Sequence, residues 1–241
     1  MLLALETASD GAGIALLDGE QLVGETGLPA STHLAGALLP ALDELLSRCR
    51  AELGAVERIA LSIGPGSFTG LRVGLATALG LCLGTERRIV PVPTLAALSL
   101  AAGEAERIVP MLDARRGQVY TGLYGPGADA LRADRVCAAE AWLHELRGLG
   151  PVILLGPGAE LHAARAREIL GEDLRWPEGG PHRPRASWVG RLGARLASQG
   201  LALEPSRVEL RYLRRSDAER RRRGAEAPRG SAGHPTRKPI I

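Results

Sequence analysis

Apolar residues along the first half of the chain form short runs typical of strands and longer stretches with helical spacing. Three short runs predict a meander of strands at residues 2–5, 13–17 and 21–25. A helix follows from residue 31 with leucines along one side, and residues 59–63 predict a buried strand. Strands that alternate with helices in this way are typical of an α/β fold.

The segment from Gly64 to Arg72, with sequence GPGSFTGLR, follows the strand at 59–63 and begins a helix. Ser67 or Thr69 is the expected N-cap. Small residues, namely Gly70, Gly74 and Ala78, recur at every fourth position of this helix. Each helical glycine costs about 1 kcal/mol relative to alanine. We therefore expect this face to be kept small so that another helix can approach it closely, either a helix of a partner chain or an element of the same lobe.

The pattern of the first residues repeats about halfway along the chain. A constant offset of 107 positions places Glu6 on Asp113 and Leu16 on Leu123. Each copy reads as a strand, an acidic turn and a second strand. Two such copies predict the duplicated two-lobed α/β fold of actin, sugar kinases and Hsp70. We expect an N-terminal lobe at 1–104, a C-terminal lobe at 105–219 and a basic, disordered tail at 220–241.

Composition narrows the class of protein further. The chain is 45% hydrophobic, which is enough for a sizeable core, and no run reaches the roughly 18 apolar residues of a membrane span. The acidic residue Glu6 interrupts the N-terminal apolar run, so no signal peptide is expected. Cysteine occurs only three times and never as a Cys-x-x-Cys pair. These features predict a cytoplasmic protein with buried, unpaired thiols.

Charge is concentrated at the C-terminus. From Arg211 onward the sequence has ten Lys or Arg against three acids, whereas the whole chain carries +3. Such a tail could contact nucleic-acid phosphates, and a solvated tail is the alternative.

Glu6 and Asp113 are the first candidates for chemistry. On the two hairpins of a kinase-like fold, such acids face each other across a cleft and hold a metal with its phosphates. Glu6, Thr7 and Asp113 are therefore the predicted residues of a vestigial nucleotide cleft. The alternative is that both carboxylates accept hydrogen bonds from the amides of their own turns. No histidine pair at helical spacing and no nucleophile elbow is present, so neither a metal site nor a catalytic residue is predicted.

The GPGSFTGLR segment and its small-residue helix resemble the signature of the TsaB family. The start LLALETA, the segment DARRGQVY at 113–120 and Tyr212-Leu213-Arg214 agree with it. The resemblance implies the same two-lobed fold and an accessory, non-catalytic subunit of the bacterial machinery that makes threonylcarbamoyladenosine in tRNA. It implies a heterodimer with TsaD, the further partner TsaE, indirect contact with tRNA, a homodimer in isolation and no membrane association.

We predict that the first two helices form the partner interface. The predicted interface residues are Leu38, Leu42, Leu45, Gly70, Leu71, Arg72, Gly74 and Ala78. Arg72 could pair with an acid across that interface or be an ordinary surface arginine. The competing function is a small-molecule kinase or ATPase that uses Glu6 and Asp113.

Overall fold

The computed structural model describes residues 1–30, 32–180 and 182–214. The predicted tail at 220–241 and the start of the first predicted helix at residue 31 lie outside this part of the chain.

The first sheet has five strands and begins with an antiparallel meander. Its strands are β1 (Leu2–Glu6), β2 (Ala12–Asp18), β3 (Gln21–Leu28), β4 (Arg58–Gly64) and β5 (Arg88–Pro93). Their order across the sheet is β3-β2-β1-β4-β5, with β4 parallel to β1 and β5 parallel to β4. Every residue of β1 is buried, because helices or other strands cover both faces of the sheet at its centre.

The second sheet repeats this arrangement. Its strands are β6 (Ile108–Asp113), β7 (Gln118–Tyr124), β8 (Ala130–Ala138), β9 (Val152–Leu155) and β10 (Leu174–Arg175), in the order β10-β9-β6-β7-β8. β6, β7 and β8 form the antiparallel meander, and β9 lies parallel to β6 on its other side. The predicted duplication and the two-lobed α/β fold are confirmed.

Within the described residues, seven α-helices connect and cover the sheets. They are α1 (Leu34–Cys49), α2 (Phe68–Cys82), α3 (Thr94–Ser99), α4 (Ala139–Leu146), α5 (Pro157–Leu161), α6 (Ala163–Leu170) and α7 (Ala186–Ser198). In the part of the chain that the structure describes, no helix is both long and apolar enough to cross a membrane. Cys82 is a buried free thiol, as predicted, whereas the free thiols Cys49 and Cys137 are only partly buried, so the prediction is wrong for these two.

The chain returns to the first lobe near its C-terminus. Val189 and Leu192 of α7 pack in one core with Leu2 and Ala60 of the first sheet. Leu203 then bridges to Ile89 on β5. The predicted boundary near residue 104 separates the two sheets, but the assignment of all residues 105–219 to the second lobe is wrong. The apolar face of α7 is complementary to the first sheet, so the C-terminal segment closes the first lobe.

Sequence patterns missed the edge strand β8. Its sequence ALRADRVCA is mostly polar, and none of its residues is fully buried. An edge strand with an exposed face shows no apolar alternation, so its pattern does not differ from that of a loop.

Candidate functional site

The turn between β4 and α2 is held by contacts to the end of β1. The Ser67 amide donates to the carbonyl of Ala8 at 2.7 Å. The Ser67 side chain accepts from the Gly70 amide at 3.2 Å, which confirms the predicted N-cap. A Cβ at Gly66 would lie 2.2 Å from the Ala8 oxygen, so the close approach of the two segments requires glycine there.

The small-residue stripe of α2 faces the interior of its own lobe. Gly70, Gly74 and Ala78 are all buried. A Cβ at Gly70 would lie 2.0 Å from the Thr7 carbonyl oxygen, and one at Gly74 would lie 2.2 Å from Thr7 Oγ1. The prediction that this stripe is open to another chain is therefore wrong. The glycines let α2 pack directly on the segment that follows β1.

The predicted leucines of the interface are buried as well. Leu38, Leu42 and Leu45 of α1 are at most 2% exposed and pack in the core of the first lobe, and Leu71 is fully buried. Their prediction as contact residues is wrong, because the apolar face of α1 covers its own sheet.

Arg72 is the one predicted interface residue with an exposed side chain. Its guanidinium carbon lies 3.9 Å from the centre of the Phe68 ring, and its Nε donates to the Tyr212 hydroxyl at 3.3 Å. The Tyr212 ring is stacked at a tilt on Phe68, with 5.1 Å between ring centres. This three-residue stack lies at the beginning of α2 and was missed by sequence patterns, because Tyr212 is 140 positions from Arg72.

Glu6 is completely buried at the end of β1. Its carboxylate accepts from the Ala8 amide and lies 2.8 Å from the Ser9 hydroxyl oxygen. Burial raises the pKa of Glu6 to about 7, and the hydrogen bonds from Ser9 and Ala8 oppose that rise. Glu6 is absent from the lining of the cleft between the lobes. The expectation that its carboxylate faces Asp113 across the cleft is wrong.

Asp113 lies in the cleft, at the end of β6. Its carboxylate accepts from the Arg115 amide at 2.7 Å, just as Glu6 accepts from Ala8. The alternative that each carboxylate accepts a hydrogen bond from an amide of its own turn is thus confirmed for both acids. Thr7, the third predicted cleft residue, is buried against α2, and its Oγ1 has no hydrogen-bond partner in the described chain.

The cleft between the lobes has a volume of about 280 Å³. Three aromatic residues and three arginines contribute to its walls. They are Phe68, Tyr120, Tyr212, Arg115, Arg211 and Arg214.

The C-terminal segment bridges the two lobes inside this cleft. The Arg211 amide donates to the Ile63 carbonyl of the first lobe at 2.8 Å. Its guanidinium donates to Asp134 of β8 at 2.9 Å, and the Tyr124 hydroxyl donates to the other carboxylate oxygen. Burial raises the pKa of Asp134, and the bonds from Tyr124 and Arg211 oppose the rise. Arg211 therefore connects the first lobe to the second through its backbone and its side chain.

The outward faces of α1 and α2 carry exposed apolar side chains. Leu39 of α1 is 51% exposed, Leu79 of α2 is 38% exposed, and Leu83 directly after α2 is 84% exposed. Together with Ala76 they form what we call the outward face. Sequence reasoning missed it, although the positions 72, 76, 79 and 83 have the spacing of one helix side.

Comparison with known proteins places this geometry in a family. The family model for TsaD, tRNA N6-adenosine threonylcarbamoyltransferase, matches residues 28–151. The tRNA threonylcarbamoyladenosine biosynthesis protein TsaB of Bacillus subtilis is 31% identical over 225 residues, which cover 90% of this chain and 96% of the relative. The chain belongs to the TsaB family. The TsaB of Haemophilus influenzae is 38% identical over 122 residues, or 49% of this chain and 51% of that relative.

A solved structure agrees with the family assignment. An uncharacterized protein from Pseudomonas aeruginosa with similarity to the peptidase YeaZ superimposes with a TM-score of 0.73 at 26% identity, covering 88% of this chain and 99% of the other. The shared fold thus spans most of this chain.

Proposed function

We propose that this TsaB-family chain is a non-catalytic subunit in tRNA threonylcarbamoyladenosine biosynthesis, and that it binds TsaD through the outward face of α1 and α2. The single observation that carries the interface is the exposed apolar stripe on α2 and its continuation on α1.

The stripe on α2 has the form of a helix-packing surface. Ala76, Leu79, Gly80 and Leu83 are exposed, and their positions lie on one side of the helix. Leaving Leu83 84% exposed keeps most of an apolar side chain in water. Burying such a side chain contributes about 1.5–3 kcal/mol, so a partner that covers this stripe gains affinity from it.

α1 extends the stripe. Leu39 points away from the core that its neighbour Leu38 fills, and α1 packs beside α2 on the first sheet. Two adjacent helices that both expose apolar residues can pair with two helices of a partner. A specific interface of this kind buries about 800 Å² on each side. Arg72, fixed by Phe68 and Tyr212, lies at one end of the stripe and supplies a positioned charge at its rim.

The position of Glu6 supports a non-catalytic role. The kinase or ATPase alternative uses Glu6 together with Asp113, whereas Glu6 is buried and bonded to its own turn. The position of Glu6 therefore counts against that alternative. Association with TsaE, a homodimer in the absence of TsaD, indirect contact with tRNA and a cytoplasmic location stay predictions.

A reconstituted modification assay tests the proposal. We would measure threonylcarbamoyladenosine formed on tRNA with TsaD and the other required proteins present. Leu83→Glu, which places a charge in the outward face, should abolish most product, while Leu161→Glu, at a 62% exposed leucine of the second lobe, should not. Glu6→Gln with Asp113→Asn should keep activity. Loss of activity in that double variant with TsaD still bound would favour the catalytic alternative.

A further inference from the structure

Phe and Tyr residues of this chain are concentrated in the interlobe cleft, whereas its three Trp residues do not line it. The whole sequence has one Phe and three Tyr, and three of these four line the cleft. The fourth, Tyr124, donates to the aspartate that anchors Arg211. Tyr212 leaves 42% of its surface exposed and stacks on Phe68. A cleft lined by three of the four Phe and Tyr rings offers a surface on which a planar group can stack.

The hairpin between β6 and β7 places arginines at the edge of the same cleft. Arg115 and Arg116 have φ angles of 63° and 56°, and Gly117 follows with 70°. The left-handed region costs a non-glycine residue roughly 1–2 kcal/mol, and glycine or asparagine adopts it more readily. Backbone geometry would therefore favour other residues at both positions. The presence of arginine at both positions is therefore explained by a role of the two side chains, and not by the conformation of the turn.

The cleft is positively charged, whereas residues 1–214 as a whole carry a negative net charge. Residues 215–241 have eight Lys or Arg against three acids, which is a net charge of +5. Because the whole chain carries +3, residues 1–214 carry a net charge of −2. Four arginines nevertheless gather at the cleft and its hairpin, with Asp10 and Asp113 as the exposed acids. The arginines are Arg115, Arg116, Arg211 and Arg214. Asp113 already accepts the Arg115 amide, which partly satisfies its carboxylate.

We infer that the interlobe cleft, with the Arg115–Arg116 hairpin at its edge, binds a single-stranded segment of tRNA directly. Stacked rings beside guanidinium groups form a surface that accepts unstacked bases and their phosphates. Tyr212 provides the stacking surface, and Arg115 and Arg116 contact the phosphates. RNA is the anion that fits, because the family acts in tRNA modification. The inference rests on the proposed function for the identity of that RNA, and it adds a contact by this chain itself.

Fluorescence anisotropy of a labelled full-length tRNA transcript tests this contact, with the full chain alone and with its TsaD mixture. The key variant is Arg115→Asn with Arg116→Asn, since asparagine tolerates left-handed φ and thermal stability should be kept or raised. Arg50→Asn with Arg147→Gln is the control. Arg50 is also exposed with a φ of 51°, and Arg147 is exposed at the end of α4.

The expected result is a weaker and less salt-dependent complex for the key variant. Each lost phosphate contact with a single strand reduces the slope of log Kd against log salt by about 0.7, which is about fivefold in Kd at 0.1 M KCl. Tyr212→Leu should weaken binding about fivefold or more without a change of slope, because stacking carries no counterion term. The control should match the wild-type chain.

Three results would overturn the inference. The first is an unchanged Kd and slope for the key variant. The second is loss of all tRNA binding when Arg220 to Arg223 are changed to Gln, with the cleft intact. The third is displacement of tRNA by ATP at its own binding concentration, which would assign the cleft to a free nucleotide. If the chain fails to bind TsaD but its variants show the expected slopes of log Kd against log salt with tRNA, the proposed function is refuted and the tRNA contact is not.

Discussion

Gly74 of α2 packs so closely on Thr7 that a Cβ on the glycine would lie 2.2 Å from the threonine Oγ1. The contact joins the second helix to the end of the first strand, and it explains why small residues recur along α2. Gly74→Ala should lower the free energy of unfolding by about 1–3 kcal/mol, because overpacking outweighs the gain in helix propensity. Urea denaturation of the isolated chain measures the change.

Gly80 is the matched control in the same helix. It is exposed, and a Cβ there would meet nothing within 4 Å. Gly80→Ala should therefore stabilise the chain by about 0.5–1 kcal/mol. Equal effects at both positions would contradict the inward orientation of the stripe.

Glu6 makes the stability of the chain depend on pH. Ser9 Oγ lies 2.8 Å from both Glu6 Oε2 and the Gly11 carbonyl, yet a hydroxyl has one proton. The Ser9 hydroxyl can therefore donate to only one of these two oxygens at a time. The pKa of Glu6 is about 7 in the folded chain against 4.5 as its ordinary value. The folded state thus binds more protons between these values, and stability falls as pH rises from about 4.5 to 7.

Glu6→Gln should remove this part of the pH dependence. The amide keeps an oxygen that accepts from Ala8, and it has no carboxyl group to ionise. We expect the variant to gain roughly 3 kcal/mol relative to the wild-type chain above pH 7, and little below pH 4.5. Urea denaturation at a series of pH values measures this difference, and a difference that does not change with pH would contradict it.

The charge pair between Arg211 and Asp134 should connect the lobes energetically. The Asp134 side chain is 2% exposed, so removing the arginine leaves a buried acceptor with one partner fewer. Arg211→Gln should cost about 1–3 kcal/mol. A double-mutant cycle with Asp134→Asn should show a coupling of about 0.5–3 kcal/mol. Additive effects of the two substitutions would mean that the Arg211–Asp134 pair contributes no interaction energy between the lobes.

The sequence predicts the secondary-structure elements of this fold better than the tertiary contacts that these elements make. The strand β4, its turn and the cap at Ser67 follow from local patterns, and so does the repeat that relates Glu6 to Asp113. The spacing of Gly70 and Gly74 shows that one side of α2 is small. It cannot show what fills that side, because Thr7 lies more than sixty positions upstream.

The site depends on contacts between distant residues to an even greater extent. Glu6 and Asp113 occupy equivalent turns, but only the tertiary structure shows that one is buried and the other lies in the cleft. The place of Tyr212 beside Phe68 depends on the return of the chain through α7 to the first lobe. No local pattern near residue 212 indicates that return.

Affinity for TsaD, measured by titration calorimetry with the full chain, tests the central claim most directly. Leu79→Glu and Leu83→Glu should each weaken binding at least tenfold, since each places a charge in a buried interface. Leu161→Glu and the wild-type chain should bind equally. If both outward-face variants bound TsaD with the affinity of the wild-type chain, the proposal that this face binds TsaD would be contradicted.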